Sequence, residues 1–158
     1  IVKSLSYLKI NVKWIHFGDG PEINKIKKLI NLLPLNIKAE LKGRIENNEL
    51  MNYYANNSVD LFVNVSYSEG IPVSIMEALS FGIPVIATDV GGTREIIDNE
   101  VGFLIDKNYS PEAIARTIEM VINSPTYYQL RINARKRWEN LCKADKNYNE
   151  FVNFLLTF

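Results

Sequence analysis

The run Asp60-Leu61-Phe62-Val63-Asn64-Val65-Ser66-Tyr67-Ser68-Glu69-Gly70-Ile71-Pro72-Val73-Ser74-Ile75-Met76-Glu77-Ala78-Leu79 decides the fold, together with its continuation Phe81-Gly82-Ile83-Pro84-Val85-Ile86-Ala87-Thr88-Asp89 and Gly91-Gly92-Thr93. Residues 60–65 form a short, mostly apolar run and read as a buried strand. Pro72 has a preset φ and no amide hydrogen, so it fits the first turn of a helix reaching about Phe81. Val85–Thr88 is a second apolar run, closed by a Gly-Gly turn, and reads as the next strand.

The same alternation extends on both sides. Residues 1–9 read as the end of a helix, with Val2, Leu5 and Leu8 on one stripe. Val12–Phe17 reads as a strand closed by Gly18-Asp19-Gly20-Pro21, and Pro21 is placed to open a helix over residues 22–33 that Pro34 stops. A weaker strand at 37–41 ends at Gly43, and a short amphipathic helix covers 48–56 with Leu50, Met51 and Tyr54 inward. Downstream come a helix near 93–98 and a strand at Gly102–Ile105. Strands alternating with helices through residue 105 predict an α/β fold with a parallel sheet and helices on both faces. The remainder is helical: Ser110-Pro111-Glu112 opens one helix, Pro125 opens another reaching about 141, and 145–158 forms the last. That last helix places Tyr148, Phe151, Val152 and Leu155 on one side.

At 158 residues the chain fits one domain, spanning 1–158, and a chain of this size buries roughly 68–70% of its unfolded surface. Lys plus Arg (18) balances Asp plus Glu (18), so no overall field draws nucleic acid or an anionic membrane. No apolar run approaches the roughly 20 residues of a membrane-spanning helix, and no signal peptide is recognisable. With a single cysteine, Cys142, no intrachain disulfide forms, and a reducing cytoplasm is the expected setting. Cys142 reads as a structural residue, far in sequence from the single histidine, His16. His16 lies inside a strand and reads as a core or sheet-face side chain, while Asp19 is explained by turn chemistry. No His, Asp and Glu spacing suggests a metal site.

The chemistry concentrates at the loop before the central helix. The free amides of a helix's first turn and its dipole favour an anion, and Gly70 lets backbone approach a ligand closely. The location, after a parallel strand, is where open sheets of this type bind ligands. Ile75, Met76, Ala78 and Leu79 define the helix's buried face, with Glu77 opposite its centre, so a solvated glutamate is the plain alternative for Glu77, as it is for Glu69. Two carboxylates cannot hold a pyrophosphate by charge; they can accept hydrogen bonds from sugar hydroxyls.

Glu69 and Glu77 stand with seven residues between them, followed by Ala78-Leu79-Ser80-Phe81-Gly82-Ile83-Pro84-Val85-Ile86-Ala87-Thr88 and Gly91-Gly92. With Gly18-Asp19-Gly20-Pro21, Lys42-Gly43-Arg44 and Gly102-Phe103-Leu104 in order, this pattern resembles the donor-binding half of retaining glycosyltransferases of the GT-B kind, the glycosyl transferases group 1 or family 4 group. The resemblance covers roughly residues 1–125. It implies a Rossmann-like domain, half of a GT-B fold, that takes a UDP- or GDP-sugar without a cofactor or metal. By that likeness Glu77 holds the ribose hydroxyls, and Glu69 contacts the donor sugar near the reacting carbon. Amides around Gly70, Ile71 and Val73 receive the phosphates. Arg44 and Ile45 face the base, and Gly18 lets the first loop approach the donor. Arg94 is a further phosphate candidate, against the plainer reading of an exposed helix-start arginine.

The family also carries a basic residue or pair after its first strand, which Lys3 and Lys9 do not match, and the first strand itself is missing here. By the same likeness the amino-terminal acceptor domain is expected to lie outside these residues, and turnover by them alone is not expected. Unpaired neighbours of a missing strand cost about 1–3 kcal/mol for each buried unsatisfied group. The flanking strands are therefore expected to close up, residues 1–8 to extend into the sheet, or another chain to fill the gap. The implied enzyme serves surface polysaccharide or glycolipid synthesis, with a glycan or lipid-linked acceptor, in the cytoplasm or at the inner face of the membrane. A nucleotide-sugar epimerase domain and a non-catalytic nucleotide-sugar-binding module are the alternatives. The aromatics Tyr148, Phe151, Phe154 and Phe158 read either as a membrane-facing stripe or as part of a helix crossing back to that amino-terminal domain.

Overall fold

The computed structural model describes residues 1–157. Its elements run α1 (Val2–Leu5), β1 (Val12–Phe17), α2 (Ile23–Ile30), β2 (Ile37–Gly43), α3 (Asn47–Asn56), β3 (Phe62–Asn64), α4 (Val73–Ser80) and β4 (Val85–Thr88). They continue with α5 (Thr93–Ile96), β5 (Gly102–Ile105), α6 (Pro111–Ile122) and α7 (Tyr127–Arg137), a π-helical turn (Trp138–Cys142), and α8 (Ala144–Leu155). Every strand pairing is parallel. The α/β alternation and the helical carboxyl terminus are those the sequence predicts.

The strands form two sheets rather than one, ordered β1-β2 and β3-β4-β5. The strands β1 and β3 belong to different sheets. Residues Val2–Leu5 are helical, which rules out their extension as a strand. The reason is visible in the side chains: Val2, Leu5 and Leu8 are buried, an i, i+3 spacing that suits a helix stripe and not strand alternation. The chain groups into two compact units, Ile1–Ser58 with Asn108–Asn123, and Val59–Lys107 with the chain from Ser124 on.

In the first unit β1 and β2 run in register from Val12 opposite Ile37, with an irregularity at His16 and Phe17. Lys13 and Lys42 both pair with Glu40 on β2, at 2.7 and 3.0 Å. Those two ammonium groups hold the Glu40 carboxyl below the usual carboxylate range, chiefly through the hydrogen bond from Lys13. Helix α6 starts as predicted, with the Ser110 hydroxyl accepting from the Ala113 amide at 3.2 Å and proline at the first turn. It packs on α1, and the Glu119 carboxylate accepts from the Lys9 amide at 2.6 Å. Helix α2 begins at Ile23, two residues beyond Pro21, because the Gly20 carbonyl closes a turn onto the Ile23 amide at 3.1 Å. It ends at Ile30, before Pro34 could stop it.

In the second unit β4 is the central strand and all four of its residues are buried. Strand β3 lies at the edge and is half-buried throughout, shorter and more open than its apolar sequence predicts. Helix α4 buries Ile75, Ala78 and Leu79 completely and packs on α7, where Leu130 and Ala134 are buried. Gly82 has φ +63, and a Cβ there would lie 2.9 Å from the Arg131 carbonyl, so only glycine permits α7 to come this close. Arg131 and Tyr127 tie α7 to the entry of β3 through the Val59 carbonyl (2.8 Å) and the Asp60 carbonyl (2.9 Å). Helix α8 leaves Tyr148, Phe151, Val152 and Leu155 exposed on its one side. Phe158, expected beside them, lies outside the described residues.

Candidate functional site

The sequence candidates fall at the carboxyl ends of parallel strands, one group in each unit. In the first unit, Gly18 follows β1 with φ +142 and donates its amide to the Gly43 carbonyl, at the end of β2, at 2.7 Å. That bond brings the two strand ends together. Arg44 is exposed and Ile45 half-buried directly after β2. Asp19 spends its carboxylate on the Gly20 amide at 2.8 Å, the turn role its position predicts. His16 is half-buried in β1 and stacks on Trp14 with ring centroids 5.5 Å apart, a sheet-face histidine.

In the second unit the chain leaves β3 and reaches α4 through residues 65–72. Pro72 is the cap of α4, with φ −71 and ψ 116, rather than a member of its first turn. Its carbonyl accepts from Ile75 and Met76, and the side chain is buried. The amides of Gly70, Ile71 and Val73 make no intrachain hydrogen bond among the described residues. Ile71 and Val73 are exposed, and a Cβ placed on Gly70 would meet nothing within 4 Å. An open patch of unsatisfied donors thus sits at the positive end of a helix.

The carboxylates flank this patch in sequence. Glu69 is half-buried and accepts from the Asn64 side-chain amide at 3.3 Å. Glu77, on the second turn of α4, is half-buried rather than fully solvated, although a helical wheel sets it opposite the apolar face.

The loop is braced from behind by the Gly-Gly turn. Gly91 has φ +54, and a Cβ on it would penetrate the Glu69 carbonyl. The Gly92 amide donates to the Gly70 carbonyl at 2.9 Å, and a Cβ on Gly92 would press on Ile71. The sequence shows these glycines as a turn. Their contact with the loop 22 residues earlier is a tertiary fact.

A chain of polar side chains at the end of β3 is the part that sequence reasoning missed. The Asn64 carbonyl oxygen accepts from the Ser66 amide (3.0 Å) and hydroxyl (2.7 Å), while the buried Thr88 hydroxyl on β4 donates to the Ser66 carbonyl. An asparagine interrupting an otherwise apolar strand run was the available signal. Arg94 is bound in an ion pair with Asp89, its Nε donating to the carboxylate at 2.9 Å, and is exposed. Cys142 is half-buried, and burial pushes its thiol up, against a weaker opposing pull from Arg137. A thiol shifted this way is a poor nucleophile. Among the described residues no group of three or more His, Cys, Asp and Glu could hold a metal ion, and no helix is long and apolar enough to cross a membrane.

Comparison with known proteins gives a consistent family. TuaC of Bacillus subtilis, provisionally named a teichuronic acid biosynthesis glycosyltransferase, is 32% identical over 116 residues, covering 73% of this chain and 27% of TuaC. The carboxyl-terminal domain of LpcC, a glycosyl transferase group 1 family protein from Francisella tularensis, superposes with a TM-score of 0.66 at 27% identity, covering 77% of this chain and 63% of that one. Anabaena HepE, solved with UDP, shares the fold with a TM-score of 0.81 at 21% identity, covering 99% of this chain and 44% of HepE. The chain thus spans about a quarter to a third of the length of the relatives first matched, 27% of TuaC and 31% of a Haemophilus influenzae glycosyltransferase. The family described as glycosyl transferases group 1 matches residues 1–140, and the chain belongs to it.

Proposed function

We propose that this chain is the nucleotide-sugar-binding half of a retaining glycosyltransferase that moves a sugar to a glycan or lipid-linked acceptor in surface polysaccharide synthesis. The observation that carries the reading is the amino end of α4, where the unbonded amides of Gly70, Ile71 and Val73 stand between Glu69 and Glu77 in the chain. Those amides and the helix dipole suit the donor's diphosphate, whose negative charge grows as the bond to the sugar breaks. The carboxylates suit hydroxyl donors: Glu77 is proposed to hold the ribose and Glu69 the donor sugar. By the family resemblance, Gly18 is proposed to allow close approach of the donor, and Arg44 and Ile45 to face its base.

The relatives support the same reading: HepE was solved with UDP-glucose, and TuaC is named for teichuronic acid biosynthesis. The acceptor is proposed to dock on a further domain of the whole enzyme, working in the cytoplasm or at the inner membrane face. The diphosphate is proposed to be held without a divalent cation, so chelation with EDTA is expected to leave donor affinity unchanged.

Calorimetric titration with UDP, GDP and their glucose and mannose conjugates tests the site. Glu77→Ala is expected to weaken nucleoside diphosphate binding about tenfold or more, the loss of roughly one hydrogen bond to a charged group. An unchanged affinity would sink the ribose assignment.

A further inference from the structure

Glu69 is not held by the backbone of its own loop. Its side-chain partner is the Asn64 amide nitrogen, five residues earlier at the end of β3, at 3.3 Å. A side-chain amide has one donor end and one acceptor end, and the acceptor end of Asn64 is already committed. It takes two hydrogen bonds from Ser66, one from the amide at 3.0 Å and one from the hydroxyl at 2.7 Å. Turning the amide over would set its NH2 against the Ser66 backbone amide, which can only donate, and its oxygen against a carboxylate. The nitrogen therefore has to face Glu69.

The anchor behind it is rigid as well. The Ser66 carbonyl accepts from the hydroxyl of Thr88, which is 2% exposed on the central strand β4. A line of hydrogen bonds thus runs from the core of the sheet through Ser66 and Asn64 to one oxygen of Glu69. The turn at Gly91 closes on the Glu69 carbonyl from the other side.

We infer that Asn64 is a positioning residue for the donor sugar: by binding one oxygen of Glu69, it fixes the carboxylate so that its second oxygen is presented to a sugar hydroxyl. The inference rests on the assignment of Glu69 to the donor sugar proposed above. An unheld glutamate loses side-chain freedom on binding a hydroxyl, which weakens the binding. Asn64 meets that loss in advance, during folding. Its effect should appear on the sugar and not on the diphosphate, which the α4 amides hold.

The experiment compares affinities for UDP-glucose and UDP in the wild-type protein and in Glu69→Gln, Asn64→Ala and Asn64→Asp, with thermal melts on each. Asp keeps the acceptor that Ser66 requires but has no donor for Glu69, so it separates a role in the turn from a role in positioning. Asn64→Ala and Asn64→Asp are both expected to lower the preference for UDP-glucose over UDP about three- to tenfold, with UDP affinity within about twofold of wild type. Rescue of the preference by Asp would show that Asn64 serves only the turn, and would overturn the inference. So would an unchanged preference in both Asn64 variants when Glu69→Gln abolishes it. If Glu69→Gln itself leaves the preference intact, the assignment of Glu69 fails, and the inference with it.

Discussion

Gly91 and Gly70 are neighbours in space with opposite reasons for being glycine. At Gly91 the backbone is left-handed and a Cβ would run into the Glu69 carbonyl. Gly91→Ala is therefore expected to destabilise the protein by about 1–3 kcal/mol, measured by urea denaturation. At Gly70 there is open space and no left-handed backbone. Gly70→Ala is expected to stay within about 0.5 kcal/mol of wild type, yet to weaken diphosphate binding, because the methyl group occupies the approach to the unbonded amides. Asp98 makes a residue-scale prediction about pH. Its carboxyl is pushed up by burial but pulled down further by hydrogen bonds from Arg137 (2.6 Å) and the Glu100 amide (3.0 Å), for a net lowering. A carboxylate depressed on folding contributes stability above its unfolded pKa of about 3.9 and loses it as pH falls through the lower folded value. The stability difference between wild type and Asp98→Asn should be constant near neutrality and shrink below about pH 4; a difference that grows in acid would reverse the sign.

At the scale of elements, the helix that carries the candidate site is also the one most deeply built into its unit. Ile75, Ala78 and Leu79 are fully buried beneath it, so the open amides at its start are set by core packing at its middle. Leu79→Ala is expected to cost about 2–5 kcal/mol, read as a lower urea midpoint with unchanged slope. Ser110→Ala, which removes the cap on α6, should cost about 1 kcal/mol. The strands β1, β4 and β5 and the capped start of α6 were legible because period and punctuation are local properties of the chain. The half-burial of β3 was not, since Phe62 and Val63 look the same in sequence at an edge as at a sheet centre. The division into two sheets was not legible for the same reason, as ladder partners are chosen in space. The glutamate pair was visible from its spacing across Gly-Ile-Pro. Asn64 was hidden because a short amide inside an apolar run gives no sign of where its two ends point.

For the molecule as a whole, the charges cancel, with 18 basic and 18 acidic side chains, but they are not evenly spread. From Ile45 to Thr93 the chain contains no Lys, Arg or His, and this stretch holds Glu69, the α4 amides and Glu77. The first basic residue after it, Arg94, is committed to Asp89. A diphosphate bound at α4 would therefore meet dipoles at short range and carboxylates close by in sequence, with no cation from that stretch. Hydrogen bonds from the amides act at contact distance, well inside the Debye length of about 8–10 Å at physiological ionic strength, so salt weakens them less than it weakens attraction between exposed charges at longer range, although the helix dipole behind them is itself screened. Raising the salt from about 50 to about 500 mM is accordingly expected to change UDP affinity less than about threefold, with any trend toward tighter binding as repulsion from Glu69 and Glu77 is screened. A steep loss of affinity with salt, of tenfold or more over that range, would instead show that lysine or arginine side chains supply the binding, and would move the diphosphate away from the α4 amides.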